Sequence, residues 1–221
     1  MAIITKESKL SDIVINDPSS ITVLNRFNIF LGLGDKTIEN ICTEKGIDVN
    51  FFSTILNTYI NEDYFPEEAL KSYSVHEIVK YINKTNQYYL RFQIPNIERH
   101  FSSLIARSEN GNNNLELLQN FFHEVKNEIL ARMEFDMTQL LAHIENNTTK
   151  ELDFSMLTED NDNIEDKLND LINMFVIHLK GEYDVNLCHA VLVAIMTLQK
   201  DIKQNNRIRY RILLPIIKSN I

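Results

Sequence analysis

The sequence predicts an all-α protein, and three observations carry that expectation. Chain punctuation is scarce, with five Gly and four Pro in 221 residues, whereas a many-stranded β fold needs a turn signal about every 8–12 residues. Apolar residues recur near helical spacing, as at Val75, Ile78, Val79, Ile82, Tyr89 and Leu90, which places them on one helix face. Long stretches are built of Leu, Ile, Asn, Glu and Lys, with little among them to break a helix.

Short helices come first. "SKLSDIVIND" stops at Asp17-Pro18, and Ser19 or Ser20 is placed to cap "ITVLNRF". "FLGLGDK" holds two glycines and reads as a turn. Thr37 is the expected cap of "IENICTEK", which Gly46 ends, and Asp48 that of "VNFFSTILNTYI". Residues 1–62 are therefore expected to form a small helical N-terminal domain. The polar stretch 61–74, with Pro66, is the expected boundary.

Longer helices follow. Ser74 opens a helical pattern that Pro95 should bend rather than end, and "ENGNNN" is a turn. The pattern from Leu115 to Glu145 is long enough for about eight turns. A polar crossing, "NNTTKELDFSMLTEDND", leads to "IEDKLNDLINMFVIHLKG", and one more long helix starts near Asn186. Residues 74–221 thus predict four antiparallel helices in an up-down four-helix bundle.

Composition narrows the function. A net charge of −9 and a pI near 5.2 argue against a phosphate-backbone surface. The one basic cluster, Lys200, Lys203, Arg207, Arg209 and Arg211, is short and interleaved with apolar residues. Nucleic-acid binding by this chain alone is not expected. Cys42 and Cys188 are too few and too far apart for a disulfide framework or a CxxC site. No signal peptide and no run of ~20 apolar residues is read, so a soluble, cytoplasmic protein without membrane contact is expected.

Catalytic constellations are not found. Of the six histidines, His178 alone stands four residues before a glutamate, Glu182, and Gly181 interrupts that pair. Asp136 and His143 are seven apart, too far for one metal without a partner helix. Cys188 and His189 are neighbours in sequence and project about 100° apart on a helix. There is no GxGxxG and no P-loop. A non-enzyme is the expected class.

Four stretches, in order, carry a family resemblance: "LNRFNIFLGLGDKTIENICTEKGID", "YINKTNQYYLRFQIPNIE", "EILARMEFDM", and "DKLNDLINMF" continued by "LCHAVLVAIMTLQKDIKQNNRIRYRILLP". Together they resemble the repair-of-iron-centres (iron–sulfur cluster repair) family, and most closely its Bacteroidetes branch. That resemblance implies a small α-domain joined to a hemerythrin-like di-iron four-helix bundle.

The resemblance also implies where ligands would stand, and this chain departs there. A histidine ahead of the aromatic pair is replaced by Asn86, before Tyr88 and Tyr89. A His-Met pair with an acid one turn on reads Arg132-Met133 with Asp136. A third-helix histidine maps to Asn161, and the last helix's His and Glu, four apart, map to Asn205 and Arg209. The N-terminal domain's paired cysteines fall at or beside Gly32 and Leu33.

A degenerate metal site follows, with no metal or other cofactor expected. Arg132 and Asp136, one turn apart, suit a charge-assisted pair. The former ligand positions are expected to form a polar cluster or, if the guanidinium groups are free, an anion site. The leading expectation is a non-catalytic sensor or protein-interaction module with a protein partner, touched through the "FLGLGDKT" turn; a homodimer is compatible with it. The alternative is a di-iron protein of iron–sulfur cluster repair under nitrosative or oxidative stress, with displaced ligands Asp136, His143, His178 and Glu182.

Overall fold

A computed structural model describes residues 3–108, 113–146, 158–159 and 162–219. The described chain is all-helical, and an isolated bridge between Lys9 and Thr37 is its only β pairing. Its contacts separate two compact units, Met1–Lys84 with Arg211–Ile221, and Thr85–Tyr210.

The first unit opens with α1 (Leu10–Asn16), α2 (Ser20–Arg26), α3 (Ile38–Lys45) and α4 (Val49–Ile60). Local chemistry sets several of the ends. Thr37 Oγ1 accepts the Asn40 N–H at 3.2 Å while the Asn40 side chain reaches back to the Thr37 backbone, a reciprocal cap. Gly46 ends α3 at φ 64°, a left-handed conformation that glycine adopts without a Cβ penalty. Asp48 Oδ1 accepts the Phe51 N–H at 2.7 Å and starts α4.

The expected serine cap of α2 does not form. Ser20 Oγ donates to the Asp17 carbonyl at 2.7 Å, and the Ser19 N–H goes to Asp17 Oδ1 at 3.0 Å. Asp17 organises this turn, because its Oδ1 accepts both the Ser19 N–H and the Ser19 hydroxyl while its carbonyl accepts from Ser20.

The expected boundary at 61–74 is also corrected. That stretch contains α5 (Glu67–Lys71), whose Leu70 is fully buried. The Tyr73 ring packs edge-on against Phe51 at 4.9 Å. Glu67 holds Lys71 at 2.7 Å and Arg211 at 2.9 Å, and Arg211 lies over the Phe65 ring at 4.5 Å. Polarity alone suggested a linker; one buried leucine and two aromatic contacts anchor it. The division falls instead inside α6 (Val75–Tyr88), between residues 84 and 85, and residues 211–221 belong with the first unit rather than with the helix they extend. Continuous helices cross both divisions, so no break in helical pattern marks them.

In the second unit α6 runs into a π turn (Tyr89–Gln93) and then α7 (Ile94–Arg107). α8 (Asn113–Phe135) continues through a second π turn (Asp136–Leu140) into α9 (Leu141–Asn146). α10 (Ile164–Asn173) ends in a third (Met174–His178), and α11 (Val185–Ile208) passes a fourth (Arg209–Leu213) into α12 (Leu214–Ser219). Pro95 does not end its helix, because it sits in the first turn of α7 directly after a π turn, where its missing N–H is tolerated.

Within this unit α7 packs on α8 and α11, and α10 packs on α8 and α11. Ile97, Phe101, Phe122, Ile129, Leu168, Leu171, Val191 and Ile195 are fully buried between them. Phe101 stacks on Phe122, with ring centroids 5.6 Å apart. One stretch, Val185–Lys218, is long and apolar enough to cross a membrane by length and composition alone, which corrects the expectation of no such run. Leu198 and Ile202 on it are wholly buried within the chain.

Candidate functional site

Two of the π turns begin on charged residues, Asp136 and Arg209. A π turn adds one residue to the helical register and is often found where a functional side chain is re-aimed. Here both residues are aimed inward. Arg209 Nη1 donates to Asp136 Oδ1 at 2.6 Å, with side chains only 3% and 4% exposed. Asn86 Nδ2 donates to the other carboxylate oxygen at 3.0 Å. Asp136 is thus held through both oxygens, by residues of two other helical stretches.

A second group surrounds Arg132. Its Nη1 donates to Asp162 Oδ2 at 2.7 Å and to Asn206 Oδ1 at 2.9 Å. The Tyr210 hydroxyl donates to the same Asp162 oxygen, and Asn206 Nδ2 donates to Glu165 Oε1 at 2.6 Å. Asp162 Oδ1 also accepts the Ile164 N–H at 3.1 Å, at the start of α10. A third group centres on Asn205, whose Nδ2 donates to the Tyr89 hydroxyl at 2.7 Å and to the Asp201 carbonyl at 2.8 Å.

Burial works against the charge on Arg132, yet Asp162, Tyr210 and Asp136 outweigh it and hold its pKa above the ordinary value. Burial pushes Asp162 upward, but Arg132, Tyr210 and the Ile164 N–H together bring its carboxyl below the ordinary range. Burial dominates at Glu165 and raises it. Tyr210 is raised by burial and by its bond to Asp162.

The expected pairing of Arg132 with Asp136 is corrected. Asp136 takes Arg209 and Asn86, while Arg132 takes Asp162 and Asn206. Spacing along one helix shows only neighbours on that helix, and here the partners come from others. The anion reading loses its basis, because each guanidinium has its own carboxylate and Glu165 and Asp201 add further negative charge.

Asn86, Arg132, Asp136, Asn205 and Arg209 are all buried; Asn161 lies outside the described residues. The displaced ligand set is not gathered: Asp136 is in the ion pair, His143 is half-buried on α9, and His178 and Glu182 are exposed. Among the described residues, no group of three or more His, Cys, Asp or Glu could hold a metal. Gly32 and Leu33, where paired cysteines were the expected comparison, lie in the loop between α2 and α3, and Gly32 has φ 91°.

Sequence reasoning missed Asp162, Glu165, Asn206 and Tyr210. A usable signal was present, since a buried arginine requires a buried acid and Asp162 stands just ahead of α10. No family model, curated protein or solved structure matches the chain.

Proposed function

We propose that this chain is a non-catalytic protein-interaction or sensor module on a hemerythrin-like four-helix bundle whose di-iron positions hold a polar network instead. The contacts of α7 with α8 and α11, and of α10 with α8 and α11, support the bundle arrangement. The resemblance to iron–sulfur cluster repair proteins rests on the four sequence stretches described above.

One observation carries the reading. The Arg209 guanidinium occupies a position where the resembling family has a carboxylate, and it engages the one carried-over carboxylate, Asp136. Iron sites need imidazole and carboxylate donors converging on one point. Two guanidinium groups, two amides and a carboxylate already used at both oxygens do not fit a di-iron centre.

The partner in this reading is another protein, or a second copy of the chain, and the location is the cytoplasm. The "FLGLGDKT" turn supports it by exposing Phe30 at 76% and Leu31 at 63%, since large apolar side chains left in water favour contact with a partner.

Metal content decides the matter. Protein purified from iron-supplemented cells should carry substoichiometric iron and show no oxo-bridged di-iron absorption. About two irons per chain would overturn the reading and favour the iron–sulfur repair alternative.

A further inference from the structure

A cavity of about 310 Å³ is lined by residues of the first unit alone. It opens between the C-terminal ends of α2 and α3, the start of α4 and one face of α6. Four basic side chains line it, Arg26, Lys45, Lys80 and Lys84, against two acidic ones, Asp48 and Glu77. That balance is the reverse of the whole chain, which has 22 basic and 31 acidic residues.

Both acids are already engaged. Asp48 caps α4 through the Phe51 N–H at 2.7 Å, and Glu77 Oε2 accepts the N–H and hydroxyl of Ser74, each at 3.2 Å. Lys80 and Lys84 stand one turn apart on α6, an arrangement that disfavours the helix by like-charge repulsion. Neither has a carboxylate partner among the described residues. Lys45 Nζ donates to the Asn28 carbonyl at 2.9 Å, which fixes a third cation at the rim.

The wall behind these cations is aromatic. Phe27 is half-buried, and its ring lies 5.9 Å from Tyr81 and 5.0 Å from Phe52. Arg26 is 3% exposed and donates to the Tyr81 hydroxyl at 2.7 Å, so its planar group is held in place. A solvated lysine face would not need a recess, even one half open to solvent, together with a fixed buried guanidinium and an aromatic wall.

We infer that this cavity binds a small organic anion, a phosphomonoester on a compact aromatic or apolar body. The doubly charged group sits between Lys45, Lys80 and Lys84, and the body lies against Phe27. The volume is at the lower end of the ~300–1,000 Å³ typical of ligand sites, which suits a compact ligand rather than a dinucleotide. Because the second phosphate ionisation lies near pH 6, affinity rises with pH through that region.

Titration of the full chain with phenyl phosphate, inorganic phosphate and benzyl alcohol, followed by amide NMR shifts, tests this. Phenyl phosphate should bind saturably, with shifts at the cavity residues. Inorganic phosphate should bind more weakly, and benzyl alcohol should not saturate. The K80Q/K84Q double variant, which relieves the like-charge repulsion, should unfold at or slightly above the wild-type temperature and bind phenyl phosphate about tenfold or more weakly. Absence of saturable phenyl phosphate binding, equal binding of inorganic phosphate, or unchanged affinity in the double variant would each overturn the proposal. None of these outcomes depends on whether the second unit binds iron.

Discussion

Arg209 and Asp136 form an ion pair 2.6 Å long across two helical stretches, with both side chains almost fully buried. Charges removed from water at this depth are tolerated only when paired and hydrogen-bonded. Asp136 meets that condition through Arg209 and Asn86.

Removing one partner should therefore be costly. Asp136→Ala leaves the Arg209 charge buried, and the expected loss is about 3–5 kcal/mol of stability. An Asp136→Leu/Arg209→Met double change should be far milder, because apolar replacement of both partners is often near neutral. Chemical unfolding of the three proteins measures this, and wild-type stability for Asp136→Ala would mean that these side chains reach solvent.

The Arg132 group sets an acid limb. The Asp162 carboxyl lies below its ordinary 3.8, so the folded chain holds that proton more weakly than the unfolded chain. Its stabilising contribution is present above pH 3.8 and is lost as pH falls through the folded value. Glu165 has the opposite sign: burial lifts it above 4.5, so its contribution fades as pH rises through its folded value. Asp162→Asn should flatten the loss of stability in acid, whereas Glu165→Gln should be neutral or stabilising at pH 7. Unfolding midpoints between about pH 3 and 7, the range around ordinary carboxyl values, give both slopes, and an unchanged acid slope in Asp162→Asn would refute the assignment.

Residues 61–74 belong to a packed unit. Leu70 is fully buried on α5, so Leu70→Ala should cost about 2–5 kcal/mol through lost burial and the cavity left behind. A change within about 0.5 kcal/mol, as at surface positions, would return this stretch to the status of a linker.

Helical class and several helix ends were legible in the sequence because they depend on nearest neighbours. Thr37, Gly46 and Asp48 act within three or four residues, and sparse Gly and Pro leave little else for the chain to be. The helical period also accounts for the burial of Asn86, Arg132, Asp136, Asn205 and Arg209, since apolar neighbours at i±3 and i±4 turn those positions inward. Partner choice was not legible. Arg209 meets Asp136 across 73 residues, and Arg132 meets Asp162 across 30, distances over which periodicity carries no information. The boundary between the units was hidden for the same reason: α6 runs unbroken through residue 84, and only packing decides which side of the division each of its turns joins.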